Sequence, residues 1–209
     1  MISKFWNNFY KRPLEDIPWH NTQADWFKEL IDSKVVSGKS ALDLGCGTGA
    51  KSLYLVQEGG FEKVIGIDIA SKAIAIAKEE ASKTDGGENV EFICVDALEW
   101  LNKHKVDKFD LVLDWALLHG IPMKKHKQYA WAVTNAVNEN GLLLIRTFST
   151  GDEIEYFEEE IDGLKSKIYL LIKEYITQLY PNFKILRENK SQPSTKQKIF
   201  FLELLLKKQ

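Results

Sequence analysis

The chain has 209 residues, of which 44% are hydrophobic and 28% are charged, and its formal net charge is −2 at neutral pH. This length suits one domain, and this composition is typical of a soluble globular protein. The nearly balanced charge gives no electrostatic reason to expect a nucleic acid or an anionic membrane as a partner. No apolar run approaches the roughly 18 residues that cross a bilayer, and the start of the chain lacks the apolar core of a secretory signal.

Two cysteines, Cys46 and Cys94, lie in apolar segments, and neither has the spacing of a metal ligand. We interpret both as small buried hydrophobic residues. A chain with so few cysteines suits a reducing compartment. The sequence therefore predicts a cytoplasmic protein without a metal site.

Residues 1–38 are rich in aromatic side chains and contain the helix breakers Pro13, Pro18 and Gly38. Thr22 is a candidate N-cap for a helix over residues 23–33. The segment is too short for a separate domain, so we interpret it as a cover, or lid, on the body formed by residues 39–209. Its aromatic side chains either attach this cover to the body or line a pocket. They are Trp6, Phe9, Tyr10, Trp19, Trp26 and Phe27.

From Lys39 onward, short β-rich runs alternate with helical patterns. This alternation predicts an α/β fold with a doubly wound, mostly parallel sheet and helices on both faces. We expect seven strands, over residues 41–44, 64–67, 90–95, 109–113, 142–147, 184–188 and 198–206. We expect helices over residues 51–58, 71–82, 98–102 and 122–138, the last of them capped by Gly141.

The C-terminal third has a different pattern. Apolar residues between Ile168 and Leu179 recur at helical spacing and predict an amphipathic helix that ends before Pro181. Two strand-like runs follow without a helix between them, so we expect the sheet to end in an antiparallel hairpin. The acidic run at residues 151–162 is interpreted as a solvated linker and the start of that helix. If it overhung a cleft, it would repel anionic acceptors.

The segment ALDLGCGTG, residues 41–49, places three glycines on alternate positions after a buried strand. Glycine is costly to order, so its repeated use indicates a close approach of the backbone to a ligand. In an open parallel sheet, ligands bind at the carboxyl ends of the strands. Asp68 ends the next strand about twenty residues later, where an acid accepts hydrogen bonds from ribose hydroxyls. Asp43, inside the first strand, favours a nucleoside with an ammonium or sulfonium group over a pyrophosphate.

Four segments resemble, in order, the motifs of class I S-adenosylmethionine-dependent methyltransferases: LDLGCGTG, VIGIDIA, EFICVDALEW and FDLVLDWALLHGIP. The resemblance spans about Ser40 to Thr147 and implies a Rossmann-like fold with S-adenosyl-L-methionine as cofactor. In such enzymes Asp68 would bind the ribose and Asp96 the adenine amino group. The full set of implied cofactor contacts is Trp19, Asp43, Gly45, Cys46, Gly47, Gly49, Asp68, Ile69, Asp96, Ala97 and Asp114.

The segments FYKRPLEDIPWH and LLHGIP resemble the small-molecule branch of this class, which includes thiol, halide, thiopurine and tellurite methyltransferases. In that branch an N-terminal segment with a Pro-Trp pair closes over the cofactor, which implies such a role for Trp19. The chain departs from the branch after Ser149, so the identity of the acceptor does not follow from the resemblance.

Methyl transfer from a sulfonium is an in-line displacement, in which the enzyme mainly aligns the reactants and excludes water. A thiolate or a halide needs little acid–base help, whereas a hydroxyl or a protonated amine needs a base. His119 follows the fourth motif and is the candidate base or acceptor contact; capping of a turn is the structural alternative. His104 and His126 lie among lysines, and we expect both on solvated faces.

The fourth motif supplies the remaining candidates. Asp114 is expected to face the cleft, and Trp115 is either a wall around the sulfonium or part of the core. The candidate catalytic residues are His119, Trp115 and Asp114, and the candidate acceptor contacts are Tyr10, Trp19, His20, Leu118 and His119.

No set of carboxylates near this motif suits a magnesium site. The sequence therefore predicts methyl transfer to a small, soft acceptor. The alternatives are an oxygen or nitrogen acceptor with His119 as base, or a module that binds the cofactor without turnover. A nucleic-acid methyltransferase and a nicotinamide oxidoreductase fit the motifs less well.

Overall fold

The computed structural model describes residues 2–17, 25–103, 108–191 and 198–209. Within these ranges the helices are α1 (Ile2–Phe9), α2 (Asp25–Asp32), α3 (Ala50–Gln57), α4 (Ser71–Ala81), α5 (Ala97–Lys103), α6 (His126–Ala136) and α7 (Lys173–Leu179). The strands are β1 (Ser40–Leu44), β2 (Lys63–Asp68), β3 (Val90–Cys94), β4 (Phe109–Trp115), β5 (Val137–Ser149), β6 (Glu155–Ile161), β7 (Leu164–Leu170), β8 (Phe183–Ser191) and β9 (Phe200–Lys208). Trp19, His20 and His104 lie outside the described residues.

Seven strands form one sheet in the order β3-β2-β1-β4-β5-β9-β8. Strands β1 to β5 pair in parallel, whereas β9 runs antiparallel to both β5 and β8. The predicted fold class, a mostly parallel sheet that ends in an antiparallel pair, is confirmed. The strand order reverses between β1 and β4, and such a reversal leaves a crevice at the carboxyl ends of the strands.

Both faces of the sheet are covered by helices, which is why its central strands are apolar at nearly every position. Leu42 and Leu44 point from β1 into the core under α5, α6 and α7. Ala41 points to the opposite core, which α2, α3 and α4 cover. Asp43 shares that second face, so a carboxylate stands inside an otherwise apolar layer.

The helix expected over residues 122–138 is shorter in the structure. A 3₁₀ turn at Met123–Lys125 precedes α6, which ends at Ala136, and β5 begins at Val137. Val137 pairs with Phe109 at the start of β4, with a register shift just beyond it. Pairing with β4 therefore overrides the helical pattern, and Gly141 lies inside β5 instead of capping a helix.

The C-terminal expectation was wrong in one element. The acidic run forms β6, and β7 follows it in a separate two-stranded antiparallel sheet, so the helix starts only at Lys173. Asp162 and Gly163 join the strands, both with positive φ, as a two-residue hairpin turn requires. Glu158 and Lys167 lie directly opposite each other, and this charge pairing suits a hairpin better than a linker.

The N-terminal helix α1 packs against this hairpin and against α4. Phe5, Phe9 and Ile17 form a small cluster with Ala73 of α4 and Ile161 of β6. This cluster is separate from the two cores of the main sheet, so α1 contacts the body through a surface of its own. Helix α2, which also lies within residues 1–38, packs instead in a main core through Phe27, Leu30 and Ile31. Among the described helices, none has both the length and the apolar character needed to cross a membrane.

Gly49 begins α3 with a φ of +82°, and a Cβ there would lie 2.5 Å from Cζ of Phe92 and 3.0 Å from Cβ of Ala77. The residue therefore allows the start of α3 to pack closely on β3 and α4. Gly60 also has a positive φ, +73°, but a Cβ at this position would meet nothing within 4 Å. Both glycines therefore need a positive φ, but only Gly49 lies where a Cβ would clash with neighbouring side chains.

We predict that Gly49→Ala lowers the free energy of unfolding by about 1–3 kcal/mol more than Gly60→Ala. Both substitutions carry the backbone strain of an L-residue at positive φ, about 1–2 kcal/mol, so the difference isolates the contact with Phe92. Urea unfolding of the two variants measures it. Equal losses would show that Gly49 is not a packing residue.

Candidate active site

One large cavity, of about 940 Å³, lies at the carboxyl ends of the parallel strands. Its floor comes from the residues that follow β1, β2 and β3, and one wall comes from the ends of β4 and β5. Helix α1 and the β6–β7 hairpin form its roof, with Trp6 and Tyr10 from the N-terminal segment and Phe157 from the hairpin. The crevice expected from the strand order is therefore covered.

The glycine loop after β1 is tied to the neighbouring strand. The N–H groups of Gly45 and Cys46 both donate to the carbonyl oxygen of Ile67, at 2.8 and 2.9 Å. Gly45 and Gly47 have φ values of +74° and +56°, which favour glycine. These residues line the cavity as expected, whereas Gly49 does not. Burial raises the pKa of the Cys46 thiol, so this side chain stays protonated.

Asp68 joins the glycine loop to the segment after β2. Its Oδ2 accepts a hydrogen bond from the N–H of Gly47 at 2.9 Å, and its Oδ1 accepts one from Ala70 at 2.8 Å. Burial raises its pKa to about 6. Each oxygen keeps a lone pair, and Asp68 and Ile69 both line the cavity, so the carboxylate is available to a pair of hydroxyl donors.

Asp96 and Ala97 line the cavity where β3 meets α5. Oδ1 of Asp96 accepts a hydrogen bond from the N–H of Glu99 at 3.0 Å, as an N-cap does. Cys94, which ends β3, is exposed, in contrast to the expected buried residue. The thiol of Cys94 therefore takes no part in the core.

Asp43 is the most deeply buried carboxylate in the floor, with 2% of its surface exposed. Its Oδ2 accepts a hydrogen bond from the hydroxyl of Ser52 at 2.6 Å. Burial raises its pKa to about 6, because a charge without a full set of partners is costly in the interior. A cationic group in the cavity would supply the missing partner.

Asp114 does not face the cleft, contrary to expectation. It is fully buried, and its Oδ1 accepts hydrogen bonds from the N–H groups of Leu117 and Leu118. Its Oδ2 accepts a 2.8 Å bond from the hydroxyl of Tyr129. The carboxylate therefore holds the turn that follows β4 and has no oxygen turned to a ligand. Leu118 is likewise fully buried in the core and does not line the cavity.

His119 lines the cavity and is 5% exposed. Its ring stacks on Phe148 with centroids 4.8 Å apart, and its Nδ1 accepts a hydrogen bond from the N–H of Phe148 at 3.3 Å. Burial, together with the charge of Arg146, lowers its pKa to about 3. The imidazole is therefore neutral with its proton on Nε2, so it offers the cavity a donor and no basic nitrogen.

His126 is fully buried, where a solvated position was expected. Its Nε2 lies 2.7 Å from the carbonyl oxygen of Ile121, and its Nδ1 lies 3.2 Å from the hydroxyl of Tyr175. The ring fastens the segment around Ile121 to α7. Because Ile121 lines the cavity, His126 supports its wall from behind.

Sequence reasoning missed two of the basic residues that line the cavity, Lys51 and Arg146, which lie beside Trp115. The other basic residues of the lining are Arg12, Lys124, Lys125, Lys165 and Lys167. Trp115 is 8% exposed and meets Phe27 of α2 edge to face at 5.5 Å, so it serves both the core and the cavity. Arg146 stands in the apolar run LLLIRTF of β5, and a single charge in a buried strand was the available signal.

The hairpin roof was also missed. Of the acidic run, only Phe157 and Glu159 line the cavity; the opposite strand adds Ser166 among others. Glu159 faces Ser166 across the hairpin, and the described residues include no hydrogen-bond or ion-pair partner for its carboxylate. The run therefore overhangs the cleft with one inward carboxylate instead of a repelling cluster. In the described part of the chain, no three His, Cys, Asp or Glu side chains are grouped to hold a metal ion.

We predict that the affinity for S-adenosylhomocysteine is full above about pH 7 and falls as the pH drops through about 6. The family resemblance assigns a cofactor contact to Asp43 and the ribose hydroxyls to Asp68. In these roles both carboxylates must be ionised, and each contributes up to about tenfold in affinity per pH unit below its pKa of about 6. Calorimetry between pH 5 and 8 measures this dependence.

The variant Asp43→Asn should weaken binding at pH 7.5 and make the pH dependence shallower, whereas Asp85→Asn, at an exposed position, should change neither. An unchanged pH dependence in Asp43→Asn would contradict the role given to this carboxylate.

Comparisons with known proteins place this cavity in context. The chain is 29% identical over 135 residues to a 2-heptyl-1-hydroxyquinolin-4(1H)-one methyltransferase of Mycobacteroides abscessus, a match that covers 65% of this chain and 55% of that protein. It is 32% identical over 111 residues to a ubiquinone biosynthesis O-methyltransferase of Pseudomonas fluorescens, covering 53% and 44%. The chain thus spans about half the length of these curated relatives.

Among solved structures, the chain is similar to the 1,6-didemethyltoxoflavin-N1-methyltransferase of Burkholderia thailandensis, solved with 1,6-didemethyltoxoflavin and S-adenosylhomocysteine. The TM-score is 0.75 at 17% identity, and the match covers 99% of this chain and 86% of that one. At this identity the likeness shows the fold alone. A family described as a methyltransferase domain matches residues 36–195, which is most of the chain. The chain therefore belongs to the methyltransferase domain family.

Proposed function

We propose that the protein transfers a methyl group from S-adenosyl-L-methionine to a small-molecule acceptor by in-line displacement. The observation that carries this proposal is the covered cavity at the reversal of strand order, with a glycine loop and three carboxylates, Asp43, Asp68 and Asp96, in its floor. Membership of the methyltransferase domain family supports it.

The three carboxylates fit the three polar parts of the cofactor in strand order. Asp96 and Ala97, after β3, are assigned to the adenine, and Asp68, after β2, to the ribose hydroxyls. Asp43 and the loop at Gly45–Gly47, after β1, are assigned to the methionine ammonium. When bound, the cofactor supplies an activated methyl group on a positive sulfur. The raised pKa values of Asp43 and Asp68 support this assignment, because both carboxylates gain from a bound donor or cation.

The chain itself supplies alignment and an aromatic lining. The rings of Trp6, Phe157 and Trp115 line the cavity and would exclude water that competes with the acceptor. Trp115 also offers a π-face to a sulfonium. The active site is therefore built for positioning, which is the main requirement of this displacement.

We favour a soft acceptor, such as a thiolate, a halide or a metalloid anion. His119 is the one imidazole among the described residues that line the cavity, and its basic nitrogen is already engaged by Phe148. With a pKa of about 3, the imidazole does not take up a second proton at neutral pH. An acceptor that arrives ionised needs no base, so a soft anion fits the site.

A second candidate is methylation of an oxygen or a nitrogen. The names of the relatives favour it, since they include an O-methyltransferase and an N1-methyltransferase. His119 fits poorly as the base for such an acceptor. Glu159 is the better candidate, because its carboxylate lines the cavity without a partner among the described residues.

A turnover screen separates the two candidates. Release of S-adenosylhomocysteine is measured with thiophenol, phenol and aniline, which share one ring and differ in the accepting atom. We expect thiophenol to react at least tenfold faster per unit of enzyme. Faster turnover of phenol or aniline would favour the second candidate, and no turnover of any small acceptor would contradict both.

We predict that His119→Ala lowers turnover of an ionised thiol by about tenfold or less, because the ring positions the acceptor and moves no proton. The pH–rate profile should keep its shape. A hundredfold loss together with the disappearance of an ionisation would identify His119 as a general base. Glu159→Gln should leave thiolate turnover nearly unchanged if the acceptor is soft.

We also propose that the first part of residues 1–38, which contains α1, acts as a lid on the cavity, as the position of Trp6 and Tyr10 in its roof supports. Helix α2, in the second part, packs in a main core instead. Removal of residues 1–20 should lower turnover more than tenfold. The unfolding midpoint in urea should change little, because α1 packs in a cluster apart from the two main cores. Wild-type turnover in the truncated protein would contradict the lid.

A cytoplasmic location remains our proposal for the protein, and the two free cysteines are consistent with a reducing compartment.

A further inference from the structure

We propose that Lys51, Trp115 and Arg146 form a binding site for a carboxylate, or a comparable oxyanion, of the methyl acceptor. The acceptor is then a small molecule that carries a negative charge beside its nucleophilic atom. This inference rests on the proposed methyl transfer, because it names a part of the methyl acceptor. Binding of the anion can be measured without turnover.

The three side chains converge on one part of the cavity wall. Cζ of Arg146 lies 5.2 Å from the ring centroid of Trp115, and Nζ of Lys51 lies 5.5 Å from the same centroid. The guanidinium also lies 3.6 Å from the ring centroid of Phe201. Arg146 is 8% exposed and lines the cavity, so a largely buried cation beside two aromatic rings is part of its wall.

Glu203 contacts only one nitrogen of the Arg146 guanidinium. It lies opposite Arg146 on β9, with Oε1 3.3 Å from the guanidinium Nε. The same carboxylate also accepts hydrogen bonds from Asn189 at 2.6 Å and Ser191 at 3.2 Å. No hydrogen bond joins the terminal nitrogens of Arg146 to a described residue. The Nε edge of the guanidinium is thus ion-paired with Glu203 but not hydrogen-bonded, and the terminal edge is available for a bidentate contact with an oxyanion.

Trp115 adds a neutral donor to the same wall. Its indole Nε1 is buried and has no hydrogen-bond partner among the described residues. Folded proteins rarely leave a buried donor without a partner, so the wall at Trp115 is incomplete in its hydrogen bonding. A carboxylate between the guanidinium and the ammonium would pair with both cations beside the indole ring.

The charges of the wall favour an anion once the cofactor is bound. Lys51 and Arg146 stand against two carboxylates, Asp43 and Glu203. Since Asp43 is assigned to the cofactor's ammonium, the remaining three groups carry one net positive charge. Burial lowers the pKa of Lys51 to about 8 and that of Arg146 to about 10, which an anionic ligand would reverse.

The position in the sheet assigns the anion to the acceptor. The proposed cofactor contacts follow β1, β2 and β3, whereas Arg146 stands on β5, two strands beyond β1. Neighbouring strands lie about 4.8 Å apart, so Arg146 is about 10 Å from the end of β1. Lys51, by contrast, lies in the first turn of α3, directly after the glycine loop, so Arg146 is the member of the site that lies away from the residues assigned to the cofactor. The methionine carboxylate is the other possible source of an anion, and the test separates the two.

The test uses protein saturated with S-adenosylhomocysteine, titrated with benzoate and with its neutral isostere benzamide. We expect benzoate to bind at least tenfold more tightly. Because Arg146→Gln alone would leave Glu203 buried without its cation, the variant is Arg146→Gln combined with Glu203→Gln. In this variant benzoate should lose at least tenfold in affinity, while S-adenosylhomocysteine should lose less than twofold.

Lys127→Gln, at an exposed position on α6, removes one positive charge away from the cavity and should change neither affinity. Equal binding of benzoate and benzamide to the unaltered protein would overturn the proposal. A tenfold loss of S-adenosylhomocysteine affinity in the double variant would also overturn it, because the site would then hold the cofactor's carboxylate.

A second test compares the KM values of 3-mercaptobenzoate and thiophenol as methyl acceptors. We expect a KM at least tenfold lower for 3-mercaptobenzoate, and the double variant should remove this difference. If no acceptor is methylated while benzoate still binds through Arg146, the proposed function fails and the anion site stands. If both thiols react with equal KM in the unaltered protein, methyl transfer stands and the anion site fails.

Discussion

The parallel pairing of β1 with β2 on one side and β4 on the other is the constraint on which the cavity depends. Ala41 is in register with both Val64 and Leu111, so the three strands end at nearly the same level. The chain moves outward from β1 to β3 and then returns beyond β1, which leaves no helix over the junction between β1 and β4. The hydrogen bonds from Gly45 and Cys46 to Ile67 then hold the glycine loop against the end of β2, which leaves space above the loop for a ligand.

Much of this frame follows from the sequence, because buried parallel strands carry an apolar signal on both faces. The predicted starts of β1 and β2 lie within one residue of the observed ones. The hairpin was lost because Ile168 and Leu171 satisfy a helical spacing, while Ile168 and Leu170 equally satisfy the alternation of a strand. The Asp162–Gly163 pair was the deciding local signal, since it is typical of a two-residue turn.

The floor and the wall of the site differ in how far the sequence can predict their residues. Asp43, Gly45 and Asp68 stand in motifs whose spacing follows from the strand–loop–helix unit, and all three line the cavity. Asp114 stands in such a motif too, yet it binds the chain itself, because the turn after β4 presents two N–H groups to it. Arg146 belongs to no sequence motif. Its ion-pair partner, Glu203, lies 57 positions later in the chain, and only the pairing of β5 with β9 brings the two side chains together.

The neutral His119 and the cationic wall lead to one chemical consequence. An anionic nucleophile that attacks a sulfonium loses its charge as the methyl group moves, and the sulfonium loses its charge in the same step. Such a neutralisation is opposed by water, which solvates the separate ions better than the products. A covered cavity with a few fixed donors positions the two ions but stabilises their separate charges less than bulk water does. The neutral products are therefore less disfavoured in the cavity than in water. For the soft acceptor that we propose, the displacement would need no proton transfer at His119, whose pKa burial and Arg146 lower to about 3.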